Sequence, residues 1–405
     1  MYKRIFTYAI FSILNCVSLL YGEQKVGGDD ATDTHDIIIR LNEGMPIIDM
    51  TFPDVGTNIN GPSLIRIPNW IDPADRADPS AVYYLYFAHH QGDHIRMAWA
   101  TDIEGPYTIY QPGDGVLKLN INVDRLSISN HIASPDVLVD DQNYRIIMYF
   151  HGGTVRWEGV SRGQSTCVAV SPFGLDFNPG VQETIVGNFY YRVFQYDGDL
   201  FAIAKEGWVW KAPDPTDPWN PNGVDLTTRH LWDRSVNNPF AGIGKTVRHN
   251  ALRVVGDTLH VYYSCYPDKP ERILYSSIDM SAADWNYWIA SMPTDVLEPE
   301  LDWEGADLPL TWSREGSATN VRELRDPALF QDADGLMYLL YTGEGEEAIG
   351  LARFVTHSGT PIDGDFNGDQ HVNLKDLAWL ALKWLNPYTM NDFFNVAIHW
   401  LAGLG

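Results

Sequence analysis

The feature that most constrains the fold is an internal repeat. Five stretches share one pattern, in which a polar start leads into a short apolar strand, an aromatic-rich strand and a third strand. The copies begin at Pro62, Ser134, Tyr190, Arg248 and Arg325. Each alternates β-branched and aromatic residues with polar ones and is punctuated by Asp-Gly or Gly-Asp turns, a pattern typical of antiparallel meanders. The repetition of a whole sheet unit predicts an array of stacked sheets.

An isolated meander sheet cannot bury both of its faces, whereas sheets that stack around an axis bury both and leave only short edges. The repeat therefore predicts an all-β, five-bladed β-propeller over residues 46–358. A large β-sandwich is the less favoured alternative, because the repeats are units of three to four strands rather than single strands. Residues 23–45 are interpreted as a linker or an arm that supplies a closing strand. Residues 282–321 form a long insertion between the fourth and fifth copies.

Residues 1–22 have the order of a secretory signal, with a basic start, an apolar stretch and a small residue at the end. We therefore expect a protein that is secreted, periplasmic or held at the cell surface. No later stretch reaches the ~20 apolar residues of a membrane span. In such a compartment Cys167 and Cys265 fit a disulfide and a pair of buried thiols equally well.

The charge of the chain limits its partners. Asp and Glu total 53 against 28 Lys and Arg, which gives a formal net charge of -25. Such a chain repels phosphate backbones and anionic lipid surfaces. We therefore expect neither a nucleic-acid partner nor a membrane partner.

Polar residues precede the first strand of each repeat, and in a propeller these positions converge on an axial funnel. In blade order they are Asn60; His131 and Asp136; Tyr191 and Arg192; Arg248, His249 and Asn250; Arg325 and Asp326. Together they predict a polar, sugar-sized binding site. Each has a structural alternative: an Asp beside Pro is often only a turn acceptor, and a buried Arg often pairs with a carboxylate. His249 is interpreted either as a contact for a second ion on the axis or as a core hydrogen-bond donor.

The triplets Ser-Pro-Asp at 134–136 and Arg-Asp-Pro at 325–327, with the phrases YYLYF and MYLLYTG, resemble a known family group. The chain is similar to five-bladed propeller glycoside hydrolases of family 43 and its relatives in families 32, 117 and 130. The resemblance covers residues 50–356 and implies hydrolysis of the O-glycosidic bonds of a carbohydrate substrate. In that family an Asp in blade one acts as base and a Glu at the start of blade three acts as acid. This chain has Asn60 and Tyr190 at those places.

Glycosidic hydrolysis requires one carboxylic acid and one carboxylate. Asp136 and Asp326 are the leading candidates. A further acid is sought in the insertion, its flank and the segment before the first strand, at Glu304, Asp307, Glu315, Glu323 or Asp54. Because both acids of the family pattern are absent, the alternative is a propeller that binds glycans without cleaving them.

The composition changes after Thr360. Side-chain oxygens recur at positions 1, 3, 5, 9 and 12 of a loop, and a backbone carbonyl falls at position 7; the residues are Asp365, Asn367, Asp369, Asn373, Asp376 and, at position 7, His371. This spacing predicts a calcium (Ca2+) loop. It resembles a dockerin repeat, which implies a small α-helical, EF-hand-like module over residues 361–405 and a cohesin-like or cell-surface partner. A tether, a cap on the propeller and a calcium staple without a partner are the alternatives.

Overall fold

The computed structural model describes residues 37–212, the backbone of 228–230, and residues 245–355. The chain divides into two compact units, residues 1–35 and 36–405, of which only the second contains described residues. The secretory signal and the calcium loop with its helices lie outside these ranges, so both stay predictions. The residues predicted to bind calcium are Asp365, Asn367, Asp369, His371, Asn373 and Asp376.

The described strands form five antiparallel sheets. β1 (Ile37–Arg40) comes first in the chain and belongs to the last sheet. The first sheet contains β2 (Asn60–Arg66), β3 (Tyr83–Ala88), β4 (His94–Ala100), β5 (Thr108–Ile109) and β6 (Leu117–Lys118). The second contains β7 (Ile121–Val123), β8 (Leu126–Asp140), β9 (Arg145–Trp157) and β10 (Val160–Ser171).

The third sheet contains β11 (Arg192–Tyr196), β12 (Asp199–Ile203), β13 (Trp208–Lys211) and β14 (Thr228–His230). The fourth contains β15 (Thr246–Val255), β16 (Thr258–Tyr266), β17 (Ile273–Asp279) and β18 (Thr294–Leu297). The fifth contains β19 (Arg325–Gln331), β20 (Met337–Gly343), β21 (Ala348–Val355) and, paired with β21, the early strand β1.

The inner strands of the five sheets close a ring. β2 contacts both β8 and β19, and β15 contacts both β11 and β19. The ring closes between β8 and β11, where the Val193 amide donates to Asp136 Oδ2 at 3.1 Å. The prediction of a five-bladed propeller is therefore confirmed. Strand β1 completes the last blade, so the arm does supply the closing strand.

The core of the described unit is divided among the blade interfaces. Five buried apolar clusters occur, one between each pair of neighbouring blades. Strand β3 shows why: Tyr84 and Tyr86 pack toward blade two, whereas Leu85 and Phe87 pack toward blade five. Because successive side chains of a strand point to opposite faces, an unbroken apolar strand buries residues on both sides of its blade. Each such side chain contributes about 1.5–3 kcal/mol.

The two cysteines belong to different interfaces. Cys167 is buried between blades one and two, and Cys265 between blades three and four, and both are free thiols. The buried-thiol alternative is therefore the one that the structure shows. In the part of the chain that the structure describes, no helix has the length and apolar character that a membrane crossing requires.

Candidate functional site

The strands that line the axis change register at the point where polar residues precede them. Irregularities fall at 60–63 in β2, 133–136 in β8, 247–250 in β15 and 325–328 in β19. A bulge bends its strand and re-aims the side chains beside it. In four blades the same kind of backbone irregularity therefore directs polar side chains to the axis.

Backbone strain accompanies these irregularities. Ser134, Tyr190 and Asp326 have φ of 49°, 63° and 49°. Non-glycine residues seldom adopt this conformation, and they do so mainly where function or tight packing requires it. Gly61 has φ 59°, and a Cβ there would lie 2.6 Å from the Cα of Ser134. Only glycine allows blades one and two to approach this closely.

The centre of the site joins a carboxylate to an imidazole. Asp326 is 0% exposed; its Oδ1 contacts His249 Nδ1, and its Oδ2 accepts a hydrogen bond of 3.1 Å from the Gly61 amide. The ring of Tyr190 stands edge-on to His249, with centroids 4.0 Å apart. Burial lowers the pKa of His249 well below its usual range, and the charges of Arg248 and Arg192 lower it further. The imidazole is therefore neutral at pH 7.

Three further histidines extend this centre. The rings of His90 and His131 stack at 6.5 Å, and that of His131 meets His151 edge-on at 5.6 Å. The His151 ring meets Tyr190 at 4.7 Å. Burial lowers the pKa of His131 and of His151, and neighbouring imidazoles add to the effect. Sequence reasoning missed His151, although it follows an aromatic-rich run of residues, as His90 does.

Arg325 belongs to a buried ion-pair network rather than to the open centre. It is 0% exposed and donates to Glu323 Oε2 at 2.8 Å and to Glu346 Oε1 at 3.0 Å, and Glu271 lies 3.5 Å away. Glu346 also accepts from Asn58 at 2.7 Å and lies 3.3 Å from His90 Nδ1. The prediction that Arg325 binds substrate is therefore wrong, because its guanidinium is surrounded by the carboxylates of Glu323, Glu346 and Glu271.

Arg248 has a similar structural role. Its guanidinium donates to both oxygens of Glu271, at 2.8 and 3.2 Å, and to the Gly316 carbonyl at 3.1 Å. The same group lies over the ring of Tyr266 at 4.6 Å. Arg248 therefore makes contacts within the structure in place of the substrate contact that was predicted. Its charge lowers the pKa of the neighbouring His249.

Arg192 lies across the propeller axis. It donates to carbonyls of three other blades, Pro135 at 2.8 Å, Asn250 at 3.2 Å and Pro62 at 3.3 Å. Its Nη1 lies 3.5 Å from Asp136 Oδ1. Burial raises the pKa of Asp136 above its usual value, and the Arg192 charge opposes this only in part. One guanidinium thus ties four blades together and holds Asp136 beside the axis.

A cavity of about 530 Å³ runs along the axis from Asp136 and Arg192 toward the far ends of the inner strands. Asp326 is not among the described residues that line it. The two carboxylates both lie on inner strands, but they do not share this cavity. Asp326 belongs to the histidine centre and Asp136 to the cavity.

Two predicted site residues lie elsewhere. Glu304 accepts hydrogen bonds from Arg40 at 2.7 and 2.9 Å and from the Tyr341 hydroxyl at 2.7 Å. It therefore anchors the closing strand β1, and its predicted catalytic role is wrong. Tyr191 donates to the Val186 carbonyl at 2.7 Å inside the cluster between blades two and three. Tyr190 and Tyr191 both precede β11, and Tyr190 has φ of 63°. The axial position predicted for Tyr191 is taken by Tyr190, whose ring meets His249.

The axial centre contains an unusual group of buried polar atoms without a hydrogen-bond partner among the described residues. They are Asn60 Oδ1, Ser134 Oγ, His151 Nδ1, His249 Nε2 and Asn250 Oδ1. Leaving a buried polar group unsatisfied costs about 1–3 kcal/mol. Such groups are normally satisfied by protein or by ordered water. Their concentration at the starts of the inner strands indicates a site for a ligand with several hydrogen-bonding groups.

No metal centre accompanies this group. Within residues 37–212 and 245–355, no three His, Cys, Asp or Glu side chains are arranged to hold a metal ion. The second ion predicted on the axis, beside His249, therefore has no ligand set among these side chains.

The fold and the site define a five-bladed propeller with a polar, histidine-rich axial centre. No family model matches the chain. It is 31% identical over 366 residues to "Uncharacterized protein R118" of Acanthamoeba polyphaga mimivirus, a match that covers 85% of this chain and 94% of the viral protein. The chain belongs to the same protein family as this viral protein.

Solved structures with a similar fold are glycoside hydrolases. One is a thermostable family-43 glycoside hydrolase, with TM-score 0.49 and 11% identity, covering 77% of this chain and 93% of that one. Another is the α-L-arabinofuranosidase from Lactobacillus brevis, with TM-score 0.48 and 11% identity, covering 77% and 96%.

Proposed function

We propose that the axial centre binds a sugar unit of a poly- or oligosaccharide and that the protein hydrolyses an O-glycosidic bond there. The group of unpartnered polar atoms carries this proposal. A sugar hydroxyl donates one hydrogen bond and accepts two, so a single ring satisfies donors and acceptors together. The net charge of -25 disfavours an anionic ligand. The density of buried polar atoms disfavours an apolar one.

Two carboxylates are available for the chemistry. Asp326 is assigned the role of the carboxylate that activates water or attacks the sugar, because it reaches the centre beside the neutral His249. Asp136 is assigned the role of the acid, because burial raises its pKa and so favours the protonated form. Acid-base hydrolysis of a glycoside requires one protonated and one ionised carboxyl group.

Glycan binding without cleavage is the second candidate function. The observation that favours it is the guanidinium of Arg192, which bonds to three other blades beside Asp136. The cavity next to Asp136 does not include Asp326. If the two carboxylates cannot act on one bond, the centre would bind a sugar ring and leave it intact.

The test is a screen of polysaccharides and aryl glycosides for release of reducing ends or aryl alcohol. Replacement of Asp326 by Asn should lower kcat/KM by about 10²- to 10⁴-fold, the usual contribution of a group in acid-base catalysis. Asp332→Asn is the matched control: Asp332 follows the far end of the same strand β19 and pairs with Arg66 and Tyr83. It should change stability and leave kcat/KM within about twofold, an effect of less than about 0.5 kcal/mol on the barrier. Binding of a glycan without turnover on the whole panel would establish the second candidate instead.

For the C-terminal segment we propose the calcium loop and the dockerin-like module predicted from sequence, and for the protein a location outside the cytoplasm. The support is the oxygen spacing from Asp365 to Asp376 and the signal-like order of residues 1–22. Calorimetric titration of the full chain with calcium should give one site that Asp365→Ala removes. Identical heats from the parent and the variant would show that the loop does not bind the ion.

A further inference from the structure

The axial cavity has a wall and an inner end of different chemistry. One aliphatic side chain comes from the inner strand of each blade, and we call this set the collar: Leu64, Leu138, Val193, Leu252 and Leu329. All except Leu64 are half-buried, so they keep surface that solvent or a ligand can reach. Five converging aliphatic side chains around about 530 Å³ make a wall suited to an apolar body.

The inner end of the cavity is polar and charged. Asp136, Arg192 and Ser63 line it. The Ser63 hydroxyl accepts from the Val137 amide at 2.9 Å, and each carboxylate oxygen of Asp136 has one close donor. A carboxylate oxygen accepts two hydrogen bonds, and each terminal nitrogen of Arg192 carries two hydrogens. Asp136 therefore retains capacity for two further donors, and Arg192 Nη2 for one further acceptor.

This pair selects the head group of a ligand. A carboxylate or an ammonium head would lose the hydration of its charge on entering this buried end of the cavity. A hydroxyl donates one hydrogen bond and accepts two, so it can donate to Asp136 and accept from Arg192 at once. An uncharged hydroxyl head avoids the larger loss of hydration.

The mouth of the cavity lies at the far ends of the inner strands. Arg66, Asn69, Asp141 and Gln331 line it and are exposed. The cation among them is already paired, since Arg66 Nε lies 2.5 Å from Asp332 Oδ1. The anion among them, Asp141, accepts a hydrogen bond of 2.8 Å from Trp70 Nε1, so a neutral ligand can enter from solvent without meeting an unpaired cation among these residues.

We propose that this cavity is a second binding site, adjoining the sugar centre, for a neutral amphiphile with an aliphatic body and a hydroxyl head. The body contacts the collar, and the head lies between Asp136 and Arg192. The collar lies outside the histidine centre, so the two proposals can fail separately, although the head contacts Asp136, the residue that the proposed hydrolase function assigns as the acid.

The test is calorimetric titration of the full chain with three probes that share one body: 1-hexanol, hexanoate and hexylammonium. The alcohol should bind at least about tenfold more tightly than either ion, which corresponds to about 1.4 kcal/mol. Leu329→Trp and, separately, Leu252→Trp should each fill the cavity and abolish alcohol binding. Leu310→Trp is the control, because Leu310 is 47% exposed and does not line the cavity. It should leave the affinity unchanged.

Three results would overturn the proposal: equal affinities for the three probes, alcohol binding that survives both collar substitutions in folded protein, or no alcohol binding by the parent chain. Circular dichroism of each variant establishes that it is folded. Turnover on the sugar panel is measured on the same samples. Loss of alcohol binding with turnover retained, and the reverse, separate the failure of this proposal from the failure of the hydrolase proposal.

Discussion

Two stretches of the same inner strands present opposite chemistry along the propeller axis. At the strand starts lie Asp326, His249 and Asn60, with buried polar atoms that lack partners. A few residues further along, the collar presents aliphatic side chains to a cavity. Arg192 stands between them and bonds to three other blades. A repeated scaffold thus supplies two kinds of site, and in four of the five inner strands a backbone irregularity separates them.

The comparison also separates charges that hold the fold from groups that are available for binding. Arg325 and Arg248 reach the same region as His249, yet they are occupied by Glu346, Glu323 and Glu271. The unpartnered atoms belong to Asn, Ser and His side chains. The two arginines thus serve structure, whereas the neutral polar groups and the Asp326 carboxylate remain for a ligand.

The largest effect is expected when this structural charge is removed. Arg325→Met leaves Glu271, Glu323 and Glu346 buried without their shared cation, and breaking a buried pair in this way costs about 3–5 kcal/mol. Denaturant unfolding of the full chain measures the change. Arg125→Met is the control, because the side chains of Arg125 and its partner Glu158 are 49% and 54% exposed. It should cost less than about 1 kcal/mol. Equal losses in the two variants would contradict the division between structural and available groups.

A smaller effect is expected from pH. Since burial raises the folded-state pKa of Asp136 above its unfolded value, the folded state holds that proton more tightly. Stability contributed by this group is therefore present below the unfolded pKa of about 3.9 and is lost as pH rises through the folded pKa. Compared with the parent protein, Asp136→Asn should therefore raise the free energy of unfolding more at pH 7 than at pH 4.

Asp140 provides the control of opposite sign. It ends the same strand β8, and hydrogen bonds from Asn143 and Arg145 outweigh its partial burial and lower its pKa. Its contribution to stability is present above the unfolded pKa and is lost as pH falls through the folded value. Asp140→Asn should therefore cost stability at pH 7 and less at pH 4. Denaturant unfolding at pH 4 and pH 7 measures the free energy of unfolding of both variants. If its change between the two pH values had the same sign in both, burial would not raise the pKa of Asp136.

The propeller was predictable because its signal is repeated. Alternation of apolar and polar residues recurs in five copies, so an irregularity in one copy does not change the predicted fold. The positions that face the axis were less predictable. Tyr190 and Tyr191 are adjacent and both precede β11, and it is Tyr190, with φ of 63°, whose ring meets His249. Nothing in the local sequence marks this left-handed conformation.

The roles of the arginines depended on partners that are distant in sequence. Arg248 pairs with Glu271, 23 residues away, and Arg325 with Glu346, 21 residues away. Glu304 pairs with Arg40, 264 residues away. Sequence reasoning identified the polar residues that lie near the axis. It could not show which of them are neutralised by such partners.

The most direct test of the two-site account is glycan binding to the Asp326→Asn protein, in which turnover is blocked. Calorimetry with an oligosaccharide that the parent protein cleaves would compare two added substitutions. Asn60→Leu, which removes one unpartnered oxygen of the polar centre, should weaken sugar binding about tenfold, the equivalent of one hydrogen bond of about 1.4 kcal/mol. Leu329→Trp in the collar should leave sugar affinity unchanged. Sugar binding that Leu329→Trp abolishes and Asn60→Leu does not affect would contradict the account.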